Sequence, residues 1–577
     1  MTPDRPRTST DADPAPSRDA APAPGTGTGA LRRSLRTPGA FATVVELVPW
    51  AGELGDARGQ KPLRMASDLA GNARITALSV TDNAGGHARL SPNAPGEALL
   101  ALGHDVIVHV ACRDRNRNAL QSLGWDLLSR GLNTVLAITG DYPVEGYRGV
   151  SKPVFDVDSV ALLALYRELG DAAVARAEAA GTPHEDRHRL FLGCAIDPTK
   201  RLERDLVPQY LKLALKARSG ADYAITQVGY DARKWGELQS VMRRERIGIP
   251  AIANAYILDR GVARAFNAGK VPGCIVTDEL LAIVEREAAG PDKGRGFFLE
   301  LAAKQVVVAR GLGFGGAYLC GHRTAEEIFR VLEMADAHDP ADWRSLMRDV
   351  SFGLPGAFHL FERDGDGVAT DELAKGYRAS LTEGARRRAR GGVSPFYRFN
   401  RVLHERVFEP GTPGFATWAR VFGAVERYRI EKPLHVLEQA VKVPMFDCRD
   451  CGDCSLPDIA YLCPESHCQK NQRNGPCGGA TDGQCEVPGH TCVWADAYRR
   501  LKPYGEELAM LDRAPVIQDN DLRRTSAWAN TFLGRDHFAT GSKAALSASA
   551  PPPAPAPTTA PTPALTAAPK PEKGSPS

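Results

Sequence analysis

Apolar runs rich in β-branched residues recur eight times between positions 41 and 321. Each is followed by a polar or glycine-containing break and then by a longer stretch with helical spacing. The runs cover 41–48, 75–83, 105–114, 133–141, 189–197, 223–231, 249–257 and 313–321. Strands alternating with helical patterns of about 10–20 residues pair in parallel through right-handed crossovers, so eight such units predict a (β/α)8 TIM barrel over residues 41–324. A doubly wound sheet is the alternative. Beyond residue 324 the alternation stops. Charged–apolar stretches such as 325–338 and 417–441 predict a helical connector over 325–445, followed by a turn-rich block at 446–505 and a C-terminal segment at 506–577.

Composition narrows the picture at the ends. Residues 1–40 and 551–577 hold 17 of the 42 prolines among small residues, and such segments bury too little surface to offset their ordering entropy. The expectation is a disordered tail over 1–40 and disorder again from about 545. The first forty residues lack the apolar core of a secretory signal, which makes the cytoplasm the expected location. Lys plus Arg number 72 against 69 Asp plus Glu, a net charge of +3 that argues against nucleic acid or anionic membrane as partner. Apolar runs stay well short of the ~18 residues that suggest a membrane span.

A barrel gathers its chemistry at the C-terminal ends of its strands, and polar residues stand there. Glu46 interrupts the first apolar run, where burial would raise its pKa and make it a general acid, unless a basic neighbour pairs it. Thr81, His109, Thr139-Gly140-Asp141, Gln227 and His322-Arg323 end later runs. His109 reads as a core histidine or a site residue, and the Gln227 amide suits either a structural pairing or the polar edge of a heterocycle. No Gly-x-Gly-x-x-Gly pattern follows the first strand, so a dinucleotide-binding Rossmann site is not supported. Residues 362–373 resemble an EF-hand loop, but Leu373 replaces its final Glu, so a polar turn is expected. The arginines at 386–390 read as a solvated face.

Eight of the twelve cysteines fall within 45 residues: Cys448, Cys451, Cys454, Cys463, Cys468, Cys477, Cys485 and Cys492. In a large chain without an export signal this block reads as thiolate metal ligands rather than disulfides. Three cysteines at two-residue gaps and a fourth before Pro464 suit a [4Fe–4S] cluster, while eight thiolates equally suit two tetrahedral zinc sites of four cysteines each.

Five motifs in order, Thr43-Val-Val-Glu46, Ser79-Val-Thr81, His109-Val-Ala-Cys112, Ala137-Ile-Thr-Gly-Asp141 and Gly220-Ala-Asp-Tyr-Ala-Ile-Thr-Gln227, resemble those of methylenetetrahydrofolate reductases. The resemblance implies a flavoprotein that reduces 5,10-methylenetetrahydrofolate to 5-methyltetrahydrofolate in one-carbon metabolism. Glu46 would be the general acid, Asp141 would lie between flavin and pterin, and Gln227 would bind the pterin. Thr81, His109, Thr139, Gly140, Asp141 and Lys216 would contact FAD or FMN, with Lys216 suited to its phosphates, and Arg323 would meet the folate tail. Electrons would come from NAD(P)H or a ferredoxin-like donor, and homo-oligomers are compatible with the sequence. The cysteine block resembles the C-terminal domain fused to or partnered with some of these reductases, in zinc or iron–sulfur form. Two other classes compete: a pterin-binding barrel methyltransferase without redox chemistry, and a non-catalytic electron-transfer or assembly subunit.

Overall fold

The computed structural model describes residues 29–181 and 189–540. Eight strands form a closed, all-parallel barrel in chain order: β1 (Ala42–Leu47), β2 (Ala77–Val80), β3 (Val106–Ala111), β4 (Thr134–Ile138), β5 (Phe191–Ile196), β6 (Tyr223–Thr226), β7 (Ala251–Tyr256) and β8 (Gly316–Cys320). Closure is direct, because Val45 is in register with Leu78 of β2 on one side and Leu319 of β8 on the other. Nearly every strand residue is buried, as expected for strands covered by barrel core on one face and helices on the other. Each expected run contains its strand; those of β2, β3, β4 and β6 overshoot it most at the C-terminal end, where the chain leaves the sheet to build the mouth.

The opposite end of the barrel corrects the expected N-terminal tail. Residues 1–28 lie outside the described residues, but Ala30–Arg36 form a helix, α1. Leu31 is fully buried and its N–H donates to Asp105 Oδ2 at 2.8 Å, while the Arg32 guanidinium donates to the Arg189 carbonyl and stacks over Phe191. Leu31 and Leu35 packed on the barrel core, with Arg32 reaching a backbone carbonyl and Arg32 and Arg36 the Phe191 ring, order this turn. Composition averaged over forty residues hides it.

Helix α2 (Glu203–Arg218) is buried on two faces. Leu206, Tyr210 and Leu213 pack in the barrel core, whereas Val207, Leu211 and Leu215 join a second core with Trp494, Tyr498 and Leu511 from the cysteine-rich part of the chain. The cysteine block is thus fixed on the barrel by shared apolar packing.

The connector is mostly helical, with one exception. Strands β9 (Phe361–Arg363) and β10 (Ala369–Leu373) form an antiparallel hairpin. Its turn is the EF-hand-like run, in which Asp364 Oδ1 accepts the N–H groups of Asp366 and Val368 and the carboxylate pairs with Arg344. Its acids hold the turn rather than standing free. The basic run is also less solvated than expected: Arg386 pairs with buried Glu507, and Arg390 donates to the Pro503 carbonyl. Residues 506–540 fold back onto the molecule through Met510, Leu511, Ala529 and Phe532. The expected disorder from 545 lies outside the described residues. Among the described residues no helix is long and apolar enough to cross a membrane, and all twelve cysteines are free thiols.

Candidate functional site

The mouth of the barrel has two differently built sides. On the β1 side, Glu46 is half-buried, and desolvation raises its carboxyl from 4.5 to about 7 although a hydrogen bond from the Tyr318 hydroxyl (3.2 Å) works the other way. The Tyr318 hydroxyl also approaches His109 Nε2 at 3.5 Å, and that nitrogen is 2.8 Å from Ser79 Oγ. Burial lowers His109 to about 4, so it is neutral near pH 7 and adds no charge that would ionise Glu46. His322 Nε2 donates to the Glu46 backbone carbonyl (2.9 Å) and fixes the strand end. Every one of these groups belongs to the barrel.

The β4 side is assembled by two parts of the chain. The Asp141 carboxylate accepts the Gly85 N–H at 2.9 Å, and Arg113 donates to its backbone carbonyl at 3.1 Å. Gly140, with φ +88°, makes the turn that side chains rarely adopt. From the cysteine block, Gln472 Oε1 accepts the Thr139 hydroxyl (3.2 Å), Lys470 Nζ donates to the Gly140 carbonyl (2.8 Å), and Glu486 accepts the Tyr142 N–H (2.8 Å). The same block reaches the next loops. Lys200, paired with Asp197 at 2.7 Å, donates to the Gly478 carbonyl, and Gln209 donates to that of Cys477.

Between the two sides, the Cys274 thiol is pushed up to about 12 by burial and by the carboxylates of Asp197, Asp141 and Glu46, which therefore share one neighbourhood. Gln227 lies there too, its Oε1 accepting the Val228 N–H at 2.9 Å, and Cys274 Sγ is 3.9 Å from that oxygen. Thr81 is buried with its hydroxyl unpartnered. Arg323 stands apart: it is exposed and paired with Asp259 at 2.9 Å.

The residues that the resemblance assigns to a flavin are divided by this arrangement. Thr81 and Asp141 stand at the mouth, but Thr139 and Gly140 are engaged by the cysteine block. Lys216, the cation assigned to phosphates, is buried with Nζ donating to the Ala195 carbonyl (2.6 Å), and desolvation lowers it to about 8. Three of the assigned residues, Thr139, Gly140 and Lys216, are thus bonded to protein groups, while Thr81 keeps an unpartnered hydroxyl and Asp141 its place at the mouth.

The eight cysteines sort into two sets. Cys448, Cys451, Cys454 and Cys463 line one cavity of about 20 Å³ with Lys442 and Arg473 in its wall. Lys442 comes from a helix, Glu431–Phe446, that turns Glu438, Lys442 and Phe446 inward, and its ammonium lies 3.5 Å from Cys454 Sγ. Cys468, Cys477, Cys485 and Cys492 form the second set, in which Cys477 lies close enough to raise the thiols of the other three. Backbone N–H groups point at the sulfurs of Cys448, Cys468 and Cys485 (3.4, 3.4 and 3.5 Å), a contact that favours thiolates. Among the described residues no group of three or more His, Cys, Asp or Glu side chains forms a site for a metal ion.

Tyr318, Lys470, Gln472 and Glu486 escaped the sequence reading. Tyr318 carried a usable signal, as a hydroxyl-bearing ring in the eighth apolar run facing the strand of Glu46. The other three carried none, since nothing in a linear pattern places residues 470–486 beside residues 139–142.

Residues 56–303 match the family model described as methylenetetrahydrofolate reductase, and residues 428–520 that described as methylene-tetrahydrofolate reductase C terminal. No curated protein matches the chain. Among solved structures, an uncharacterized protein from Clostridium thermocellum that binds two copies of 5-methyl-5,6,7,8-tetrahydrofolic acid is 12% identical, with a TM-score of 0.36 over 51% of this chain and 93% of its own. An oxaloacetate acetylhydrolase in complex with the inhibitor 3,3-difluorooxalacetate is also 12% identical, with a TM-score of 0.30 over 56% of this chain and 94% of its own. By the two family matches, on a closed parallel barrel followed by a cysteine-rich region, the chain belongs to the methylenetetrahydrofolate reductase family.

Proposed function

We propose that the chain reduces 5,10-methylenetetrahydrofolate to 5-methyltetrahydrofolate, with Glu46 as general acid. The observation that carries this reading is a carboxyl raised to about 7 at the mouth of a barrel of this family. Half of such groups are protonated at neutral pH, which suits donation to a folate nitrogen. Protonating that nitrogen opens the five-membered ring to an N5-methylene iminium, and a hydride added to the methylene carbon gives the N5-methyl product. Tyr318 holds the Glu46 carboxyl in place and neutral His109 backs it. Asp141 and Gln227 bind the pterin's polar edge, and exposed Arg323, paired with Asp259, meets the folate tail with its remaining donors. A flavin would supply the hydride where it binds, with electrons from NAD(P)H or a ferredoxin-like donor. The acid step is the part this chain's own side chains perform.

Drawn together around a metal, each cysteine set would supply four thiolates to a [4Fe–4S] or zinc centre, one with Lys442 and Arg473 in its wall and the other docked on the barrel. Cations beside thiolates favour their ionised, metal-binding form.

The test is formation of 5-methyltetrahydrofolate by the purified full chain, offered NADH or a low-potential reductant. Glu46→Gln should reduce turnover by roughly 10²–10⁴. An unchanged rate in that variant rules the reading out. The engaged flavin positions favour one rival, a pterin-binding barrel that moves a methyl group without redox chemistry. It predicts no flavin absorbance and no dependence on a reductant.

A further inference from the structure

The two peptide groups that flank Asp141 both end on one ion pair. Lys470 Nζ donates to the Gly140 carbonyl and Glu486 Oε1 accepts the Tyr142 N–H, each at 2.8 Å, and the ammonium and carboxylate are 2.6 Å apart. Their side chains are 4% and 3% exposed, so water does not compete for these bonds. Neither residue belongs to the barrel. Lys470 lies two positions after Cys468, and Glu486 directly follows Cys485, so the second cysteine set presents both. Gly479 makes room for the pair, because a Cβ there would collide with the Glu486 carboxylate. Gln472, whose N–H points at the Cys468 sulfur, reaches Thr139 and also accepts from Lys212 at 3.2 Å. The β4 loop is thus tied to the second set at three places: Thr139, Gly140 and Tyr142.

We propose that Lys470 and Glu486 are positioning residues for Asp141, standing on the side of the mouth that the resemblance reserves for a flavin. An intact second cysteine set, through them, fixes that carboxylate. The functional meaning rests on the proposed role of Asp141 in folate reduction; the mechanical claim does not. Removing one member of a buried ion pair leaves the other charge without compensation. The loop then loses its anchor, and small displacements of a reacting constellation reduce rate steeply.

Hydrogen–deuterium exchange of the full chain reads this directly. Amides in 139–147 are expected to exchange at least about tenfold faster in Lys470→Met, Glu486→Gln and Cys485→Ser, with β1 and β8 unchanged. Lys470→Arg keeps the charge and should restore most of the protection, which separates loss of the anchor from general unfolding. In active protein, kcat/KM should fall about 10–100-fold in Lys470→Met and recover in part in Lys470→Arg. Exchange within twofold of wild type in both Lys470→Met and Glu486→Gln overturns the proposal, as does Lys470→Arg matching Lys470→Met. Added FAD that restores wild-type exchange of 139–147 in Lys470→Met also overturns it, since a cofactor and not the ion pair would then be holding the loop. Wild-type protein that makes no 5-methyltetrahydrofolate, yet shows the exchange pattern, refutes the reductase reading and leaves the anchor standing.

Discussion

The two sides of the barrel mouth are built on opposite plans. The β1 side is self-contained: Glu46, Tyr318, His109, Ser79 and His322 all come from the barrel strands or the turn just after β8, and burial alone gives the acid its neutral form. The β4 side is shared, because the loop carrying Asp141 is held by residues more than 300 positions away in the chain. A proton donor needs a dry, rigid setting, which a barrel supplies by itself. A carboxylate on a loop needs outside support, and here a metal-ligand-like block gives it. The two halves should therefore fail separately.

The largest expected effect isolates the self-contained half. Glu46→Gln should reduce kcat by about 10²–10⁴ while leaving exchange of 139–147 untouched. Loosening of that loop in this variant would mean the halves are not independent. Next comes Cys477→Ser in the second set, expected to lower kcat/KM by about tenfold or more through the β4 loop. Its pH profile should keep its fall near pH 7, because Glu46 does not sense that block.

A smaller effect sharpens the acid. The folded-state pKa of Glu46 is about 7, raised from 4.5, so the protonated form persists to near neutrality and activity should fall as pH rises through about 7. The Tyr318 hydroxyl stabilises the ionised form. Tyr318→Phe should thus move the fall to higher pH by about half to one unit, the shift that corresponds to one hydrogen bond of ~1 kcal/mol. A shift to lower pH would contradict the assigned donor. The smallest effect is expected from Cys451→Ser in the first set. It should lower the zinc or iron that the purified chain carries, if the first set binds it as proposed, and change neither loop exchange nor the pH profile, with NADH-driven turnover within about twofold of wild type, the scale of a remote and independent site.

The barrel was legible because parallel strands buried on both faces read as uninterrupted apolar runs, and breaks in those runs mark the mouth. Glu46 stood out for the same reason, as one charge inside such a run. The overshoot of the expected strands at 139–141 and 81–83 came from short polar residues of the mouth loops, Thr81-Asp82-Asn83 and Thr139-Gly140-Asp141, being counted with the strands they follow. Three features were not legible. Helix α1 is too short to alter the composition of its segment. The β9–β10 hairpin hides within a polar stretch whose acids pair with distant arginines. The bonds of Thr139, Gly140 and Lys216 to Gln472, Lys470 and the Ala195 carbonyl are tertiary contacts, so a motif could name the residues without showing these partners.

Helix α2 sets a limit on how this protein can be divided. Val207, Leu211 and Leu215 face the second core, so an isolated barrel would show them to solvent at a penalty of about 1.5–3 kcal/mol per side chain. Buried Lys212, which bonds the carbonyls of Gly475 and Pro476, would lose those acceptors at the same stroke. Co-expressing the two halves as separate polypeptides should rescue solubility that neither fragment has alone.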